Sequence, residues 1–153
     1  MNIYFLDTSA LVKRYHREEG SDILDRLFEE PDAKFIISDI SIIEFYSAIA
    51  LKVRTGEIDE ANFTSLRKLF SQDIKRGIFE IAEFTKREKS ESVKILLKYG
   101  KEYSLKTLDA IQLSVMKLMD VGTIKAIVCA DEKFCRVIAL EGFQVINPMN
   151  SGS

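Results

Sequence analysis

Short β-rich runs alternate along the chain with longer segments of helical spacing, and this alternation limits the possible folds more than any other feature. The β-rich runs are residues 3–6, 35–37, 78–82, 126–129 and 144–146. Between them, apolar residues recur at helical intervals, as they do at Phe63, Leu66, Phe70 and Ile74. Strands that alternate with helices favour a parallel sheet with helices on both faces. We therefore predict an α/β fold, a three-layer α/β/α sandwich whose mostly parallel sheet has about five strands.

The length of 153 residues suits one globular domain, which we place at residues 1–148, followed by a flexible tail at 149–153. No apolar run approaches the ~18 residues that cross a bilayer, and the first residues lack the basic region of a signal peptide. We therefore expect a cytoplasmic protein with no membrane association. The 22 basic and 24 acidic residues give a net charge of −2. That balance argues against a strongly basic nucleic-acid-binding protein, although the total hides where the acids lie.

Two acidic residues directly follow β-rich runs and precede helical patterns. Asp7 follows the first run, and Asp131 follows the fourth. Ligands of open α/β sheets bind beyond the carboxyl ends of the strands, so both positions are candidates for a site. Capping of the following helix explains each acid equally well when it is taken alone.

Two further acids lie near helix starts within apolar segments. Glu44 lies inside the apolar segment 40–51, which we expect to be either fully buried or part of an interface. A buried, unpaired carboxylate costs several kcal/mol, and no basic residue lies three or four positions from Glu44, so we expect a cation nearby. Asp109 begins another apolar helix, where the helix dipole is an alternative explanation.

Four carboxylates that converged in one pocket would repel one another, and a hard divalent cation would relieve that repulsion. Carboxylate and water ligands suit Mg²⁺ or Mn²⁺. Zinc would require histidine or cysteine ligands, and His16 is the only histidine in the sequence. We assign His16 no role.

The chain resembles the PIN-domain ribonucleases, and most closely the small VapC-type toxins of prokaryotic toxin–antitoxin systems. Four motifs carry this resemblance, and they occur in the family's order and at about its spacing. They are Tyr4-Phe-Leu-Asp7-Thr-Ser-Ala, Ser38-Asp-Ile-Ser-Ile-Ile-Glu44-Phe, Thr107-Leu-Asp109-Ala-Ile-Gln-Leu and Ala130-Asp131-Glu-Lys-Phe134. Each motif is weak alone, but together they cover nearly residues 2–148.

The resemblance implies a metal-dependent endoribonuclease that hydrolyses RNA phosphodiesters through a metal-activated water. The four acids of the motifs would be both catalytic and metal-binding, holding one or two Mg²⁺ or Mn²⁺ ions: Asp7, Glu44, Asp109 and Asp131. In the family a hydroxyl residue helps to orient the first Asp, and Thr8 or Ser9 would do so here. The family usually has Ser or Thr where Cys129 stands, so we expect Asp131 to be held less firmly.

RNA, an antitoxin protein and a second copy of the chain are the partners that the resemblance implies. An antitoxin segment would lie along the helices at 40–51 and 59–75 and reach the acidic pocket. Basic residues near the first and fourth motifs are candidate contacts for RNA phosphates, although a solvated helix face explains any one of them: Lys13, Arg14, Arg17, Lys133 and Arg136.

Three alternatives remain open from the sequence. The chain could be a PIN-like module that binds RNA or protein without cleavage, or a solitary RNA-processing nuclease without an antitoxin. A phosphoaspartyl enzyme or receiver would also place an Asp after its first strand. The phosphatase pattern, however, needs an acid where Ser9 stands, and the receiver pattern needs an acidic pair that we do not find.

Overall fold

A computed structural model describes residues 1–119 and 121–150, and its sheet has five parallel strands. The strands are β1 (Asn2–Leu6), β2 (Ala33–Ser38), β3 (Phe79–Ala82), β4 (Ala126–Val128) and β5 (Val145–Ile146). They lie in the order β3-β2-β1-β4-β5, and every pairing is parallel. The predicted parallel α/β sheet is thereby confirmed. Of the predicted tail at 149–153, residues 151–153 lie outside the described residues.

Seven α-helices connect or follow the strands within the described residues. They are α1 (Thr8–Tyr15), α2 (Ser21–Glu29), α3 (Asp39–Arg54), α4 (Glu60–Lys75), α5 (Lys86–Tyr99), α6 (Thr107–Leu118) and α7 (Glu132–Leu140). A 3₁₀ turn, Val121–Thr123, precedes β4. None of these helices combines the length and the apolar content that a bilayer crossing requires.

The sheet is buried on both faces, which explains why its strands read as continuous apolar runs. In β1, Tyr4 and Leu6 pack into one core with α1 to α4, whereas Phe5 packs into a second core with α5 to α7. The same alternation holds in β4, where Val128 faces the first core and Ile127 faces the second. Because successive side chains of a strand point to opposite faces, the helices form one layer on each side of the sheet.

The apolar segment 40–51 forms most of α3, but one of the two expectations for it is wrong. Phe45 and Ile49 are fully buried, whereas Ile43 is 68% exposed and Leu51 is also exposed. Complete burial is excluded because the helix packs on the sheet with only one side. The stripe predicted on α4 is confirmed, since Phe70 is buried in the first core.

We expect Phe45→Ala to lower the free energy of unfolding by about 3–5 kcal/mol, because it removes a buried aromatic ring from the first core and leaves a cavity. The Phe45 ring is fully buried, and it stacks on Phe70 with centroids 4.0 Å apart. Leu69→Ala, at an exposed position on α4, is the control and should change stability by no more than roughly 0.5 kcal/mol. Urea denaturation measures both, and equal losses would contradict this description of the core.

Candidate active site

A cavity of about 680 Å³ opens at the carboxyl edge of the sheet. The acidic residues of all four motifs line it, namely Asp7, Glu44, Asp109 and Asp131. They come from four separate elements: two follow the neighbouring strands β1 and β4, and two lie in the N-terminal halves of α3 and α6. The fold therefore brings together side chains that are far apart in the sequence.

Asp7 is the most buried of the four acids, with 7% of its surface exposed. It caps α1, and its Oδ2 accepts hydrogen bonds from the Ser9 hydroxyl at 2.5 Å and the Ser9 amide at 3.2 Å. Burial raises the pKa of Asp7 to about 6, the Ser9 hydrogen bonds oppose that rise, and the charges of Glu44 and Asp109 add to it. Asp7 is thus held firmly in a place where its negative charge is disfavoured.

Neutral donors, rather than a cation, hold Glu44. Its Oε1 accepts hydrogen bonds from the Thr8 hydroxyl at 3.0 Å and from Nε2 of Gln112 at 2.7 Å. Gln112 is only 1% exposed, and its Nε2 also donates to the Ser41 hydroxyl at 2.7 Å. Glu44 makes no ion pair within the described residues, so the chain does not supply the cation that we expect near it. Of the two hydroxyl residues proposed to orient Asp7, Ser9 contacts it, whereas Thr8 contacts Glu44.

Asp109 and Asp131 lie at the N-termini of their helices. Oδ2 of Asp109 accepts from the Lys106 amide at 3.2 Å, and Oδ1 of Asp131 accepts from the Lys133 and Phe134 amides at 3.1 and 3.3 Å. Burial is the main cause of a raised pKa at Asp109, and the charges of Asp131 and Glu44 add to it. Asp131 is exposed. Asp109 and Asp131 can therefore bond to the N-termini of their helices and also line the cavity, because these helix termini lie at the carboxyl edge of the sheet.

Cys129 lies behind Asp7 and makes no contact with the side chain of Asp131. Its Sγ is 3.7 Å from Oδ2 of Asp7, 3.9 Å from the Ser9 hydroxyl and 3.7 Å from the backbone oxygen of Asp131. The Asp131 carboxylate is held by backbone amides instead. The cysteine therefore affects the surroundings of Asp7, and the contacts do not support the expectation that it loosens Asp131.

The three basic residues in α1 or directly after it that we proposed as phosphate contacts do not line the cavity. Lys13 is only 8% exposed, and its Nζ lies 3.1 Å from Oε1 of Glu18. Arg14 and Arg17 pair with Asp25 at 3.0 and 2.7 Å. These residues lie at the C-terminal end of α1 or just beyond it, whereas Asp7 caps its N-terminus, and each of them already pairs with an acidic side chain.

The basic residues that do line the cavity are Arg54 and Lys106, which the sequence analysis missed. Lys106 directly precedes the third motif, and Arg54 follows Glu44 by ten residues, almost three turns along the same helix. Their spacing from the motif acids could therefore have indicated both residues. Of the two proposed bases near the fourth motif, Lys133 borders a small cleft that Asp109 also lines. Arg136 pairs with Glu132 at 3.2 Å on the surface of α7.

A second acidic group lies at the other end of α1, and lysines neutralise it. Among the described residues, the only three metal-ligand side chains with donor atoms within 4.8 Å of one another are His16, Glu18 and Glu57. Nζ of Lys52 lies 3.0 Å from Glu18 and 2.6 Å from Glu57. This group is therefore an ion-pair network. The four cavity acids are spaced more widely, which suits a cation that keeps several water ligands.

Comparison with known proteins agrees with this geometry. A family model described as the PIN domain matches residues 4–140. A search of curated proteins finds no match.

Several solved structures share the fold. FitAcB from Neisseria gonorrhoeae is 18% identical, with a TM-score of 0.67 over 95% of this chain and 97% of that one. VapC20 from Mycobacterium tuberculosis, described as a sarcin–ricin-loop-cleaving toxin, is 17% identical, with a TM-score of 0.66 over 95% and 99%. A toxin–antitoxin complex from Klebsiella pneumoniae contains a chain that is 18% identical, with a TM-score of 0.57 over 95% and 97%.

At these identities the structural likeness shows the fold alone. The match of the family model extends from β1 to the end of α7 and includes all four acids of the cavity. The chain therefore belongs to the PIN domain family.

Proposed function

We propose that this chain is a divalent-metal-dependent endoribonuclease and the toxin of a toxin–antitoxin pair. The observation that carries the proposal is the convergence of four carboxylates in one open cavity of a PIN domain. Burial and mutual repulsion raise the pKa values of Asp7 and Asp109 there. Positive charge that entered the cavity would therefore stabilise the ionised form of this group.

The donor set fits Mg²⁺ or Mn²⁺, because every candidate ligand is a carboxylate oxygen: Asp7, Glu44, Asp109 and Asp131. When bound, such an ion lowers the pKa of a coordinated water and neutralises negative charge at the scissile phosphate. The structural environment of the carboxylates supports this assignment, since each of them is already oriented by hydrogen bonds from the protein.

The residues around the acids position them for this chemistry. Ser9 holds Asp7, and its hydroxyl also accepts a hydrogen bond from the Ala130 amide at 3.0 Å, which ties the loop after β4 to α1. Thr8 and Gln112 hold Glu44 from two other elements. Arg54 and Lys106 place positive charge on the cavity wall, where it would attract a phosphate group. The acids thus keep their orientation before any ligand arrives.

An antitoxin segment fits the wall of the same cavity. Ile43, Leu51 and Leu108 line it and are exposed, so apolar side chains of a partner would be buried against them. A basic side chain of that partner would meet the same electrostatic need as the metal ion. The Klebsiella pneumoniae relative is a toxin–antitoxin complex, which supports the same assignment here. A homodimer stays a prediction from the sequence.

An RNA cleavage assay tests the proposed activity. With Mg²⁺ or Mn²⁺ we expect the native chain to cleave single-stranded or loop RNA and to leave 5′-phosphate and 3′-hydroxyl ends. Chelator should abolish cleavage, and Asp7→Asn or Asp109→Asn should reduce its rate at least ~100-fold, because each removes a ligand charge. Asp59→Asn is the matched control, since Asp59 caps α4 outside the cavity, and it should cleave at the native rate.

Equal cleavage by the native chain and by the two cavity variants would show that these acids are not the site. Absence of cleavage by every protein, together with retained binding of RNA, would favour the non-cleaving PIN module. An antitoxin should inhibit cleavage, and its gene is expected directly upstream of the gene for this chain. Cleavage that is not inhibited by co-expression of the protein encoded there would favour the solitary nuclease.

The stability of Asp7→Asn tests whether burial and repulsion act on the cavity acids. The pKa of Asp7 is about 6 in the folded protein against an ordinary value of 3.8. The contribution of Asp7 to the free energy of unfolding is therefore complete below about pH 4, and it is lost as the pH rises through about 6. In chelator, urea denaturation should show Asp7→Asn more stable than the native chain by about 3 kcal/mol at about pH 8 and equal to it near pH 4.

Mg²⁺ should then stabilise the native chain more than the variant, because binding to the folded state alone raises its stability. Asp59→Asn should show neither the gain at high pH nor a loss of the Mg²⁺ effect. A native chain as stable as Asp7→Asn at high pH in chelator would contradict the raised pKa.

Gln112→Met tests whether Gln112 positions Glu44. The substitution keeps the shape of the side chain but removes the donor that lies 2.7 Å from Glu44. We expect cleavage to fall about 10–100-fold, the range typical of residues that orient a metal ligand. Gln144→Met, at an exposed position, is the control and should leave cleavage unchanged. Full activity that is reached only at a higher Mg²⁺ concentration would also support a positioning role for Gln112. Full activity at the same Mg²⁺ concentration as the native chain would refute it.

A further inference from the structure

The helix α5 and the turn after it carry a concentration of positive charge that the sequence analysis did not use. Residues 86–101 contain six basic and two acidic residues, a formal charge of +4. Because the whole chain has a net charge of −2, the remaining residues carry −6. The basic residues are Lys86, Arg87, Lys89, Lys94, Lys98 and Lys101.

The two acids of this stretch are engaged elsewhere. Glu88 accepts a hydrogen bond from the Thr85 amide at 3.0 Å, within the capping box of α5. Glu91 pairs with Lys117 of α6 at 2.8 Å. Within residues 1–119 and 121–150, five of the six bases form no ion pair, and Lys98 alone pairs, with Glu141 at 3.6 Å. The solvent-facing side of α5 therefore presents positive charge that the chain does not neutralise.

Four of the six basic residues lie along one side of α5 and of the turn after it. Arg87, Lys94, Lys98 and Lys101 recur at intervals of seven, four and three residues, which places them along one side. Val93 and Leu97 lie beside this row and are exposed, Leu97 to 74%. The opposite side of α5 is buried, with Ile95 and Tyr99 in the second core. The basic side is consequently available to a partner.

The helix α5 packs beside helices that carry acids of the candidate active site. Before α5, the amide of Phe84 donates to Asp39 at 3.1 Å, and Asp39 begins the helix that carries Glu44. In the middle of α5, the Ser92 hydroxyl donates to the backbone oxygen of Ala110 at 3.4 Å, directly after Asp109. After α5, the chain runs through the segment 101–106 to the cavity wall. The helix α5 therefore lies next to α6, whose first turn lines the cavity.

We propose that the basic face of α5 binds the phosphate backbone of single-stranded RNA that extends from the cavity. The identity of the ligand rests on the proposed function. The four carboxylates of the cavity repel RNA, and Arg54 and Lys106 oppose them there. The unpaired lysine and arginine side chains of α5 add a further source of attraction for phosphates. Val93 and Leu97 offer apolar contact for the nucleobases of the RNA, between the residues that contact its phosphates. A lipid surface fits less well, because a helix that lies in a bilayer needs a wide apolar stripe, and here the other apolar residues are in the core.

The test compares two variants that remove the same charge. One is Arg87→Gln/Lys94→Gln/Lys101→Gln on the α5 face, and the other is Lys68→Gln/Lys75→Gln/Arg76→Gln at exposed positions on and after α4. Both lower the formal net charge from −2 to −5. Binding of a fluorescent single-stranded RNA of about 20 nucleotides is followed by anisotropy from about 50 to 300 mM KCl. Chelator is present throughout, so the measurement does not depend on cleavage.

We expect the α5 variant to bind RNA at least ~10-fold more weakly at low salt and the α4 variant to stay within about twofold of the native chain. The slope of log affinity against log salt should flatten by about 2 for the α5 variant, at ~0.7 per lost contact with a single strand. Equal losses in both variants would show that only net charge matters and would overturn the proposal. So would an unchanged salt slope or a native chain that does not bind RNA.

Two further outcomes separate this proposal from the proposed function. Binding that depends on α5, in a protein that never cleaves RNA, would support the surface and refute the nuclease. Normal metal-dependent cleavage, without any dependence of binding on α5, would refute the surface alone. Binding of phosphatidylserine vesicles that the α5 substitutions abolish, with RNA binding intact, would assign the face to a membrane and overturn the proposal.

Discussion

The parallel pairing of β1 with β2 on one side and β4 on the other is the constraint on which the site depends. Parallel strands end at the same edge of a sheet, so the residues after them meet there. Asp7 follows β1, and Asp131 follows β4 after two intervening residues. Each then caps the next helix, which fixes its carboxylate at the cavity. The same backbone arrangement that satisfies the helix termini also gathers the negative charge.

The acidic residues near the two ends of α1 have different kinds of partner. At its C-terminal end, Glu18 and Glu57 are neutralised by Lys52. At its N-terminal end, Asp7 and Glu44 receive only neutral hydrogen bonds from Ser9 and Gln112. The first arrangement neutralises its acids within the chain, whereas the second leaves Asp7 and Glu44 without an ion pair among the described residues.

Charge separation explains how a nearly neutral chain can suit an RNA ligand. The net charge of −2 is an average over an acidic cavity, several balanced ion-pair networks and one basic helix. Balanced residues such as Arg14 contribute to the count but not to the field outside the protein. The unpaired residues of α5 contribute to both. For this reason, the location and the pairing of charged residues are more informative than their total number.

The sequence alone predicted the secondary-structure elements and the four acids that line the cavity. Alternating short β-rich runs and helical stripes indicated all five strands, and acids placed after strands or near helix starts indicated these four carboxylates, because strand ends and helix caps are set by local spacing. Only the tertiary structure decided which charges are free. Whether Lys13 is paired, what Gln112 holds and which acid Cys129 contacts all depend on side chains that are distant in sequence and meet only through packing. The spacing of residues along the sequence does not indicate such contacts. Which charged side chains near the cavity are paired could therefore be learned only from the tertiary structure.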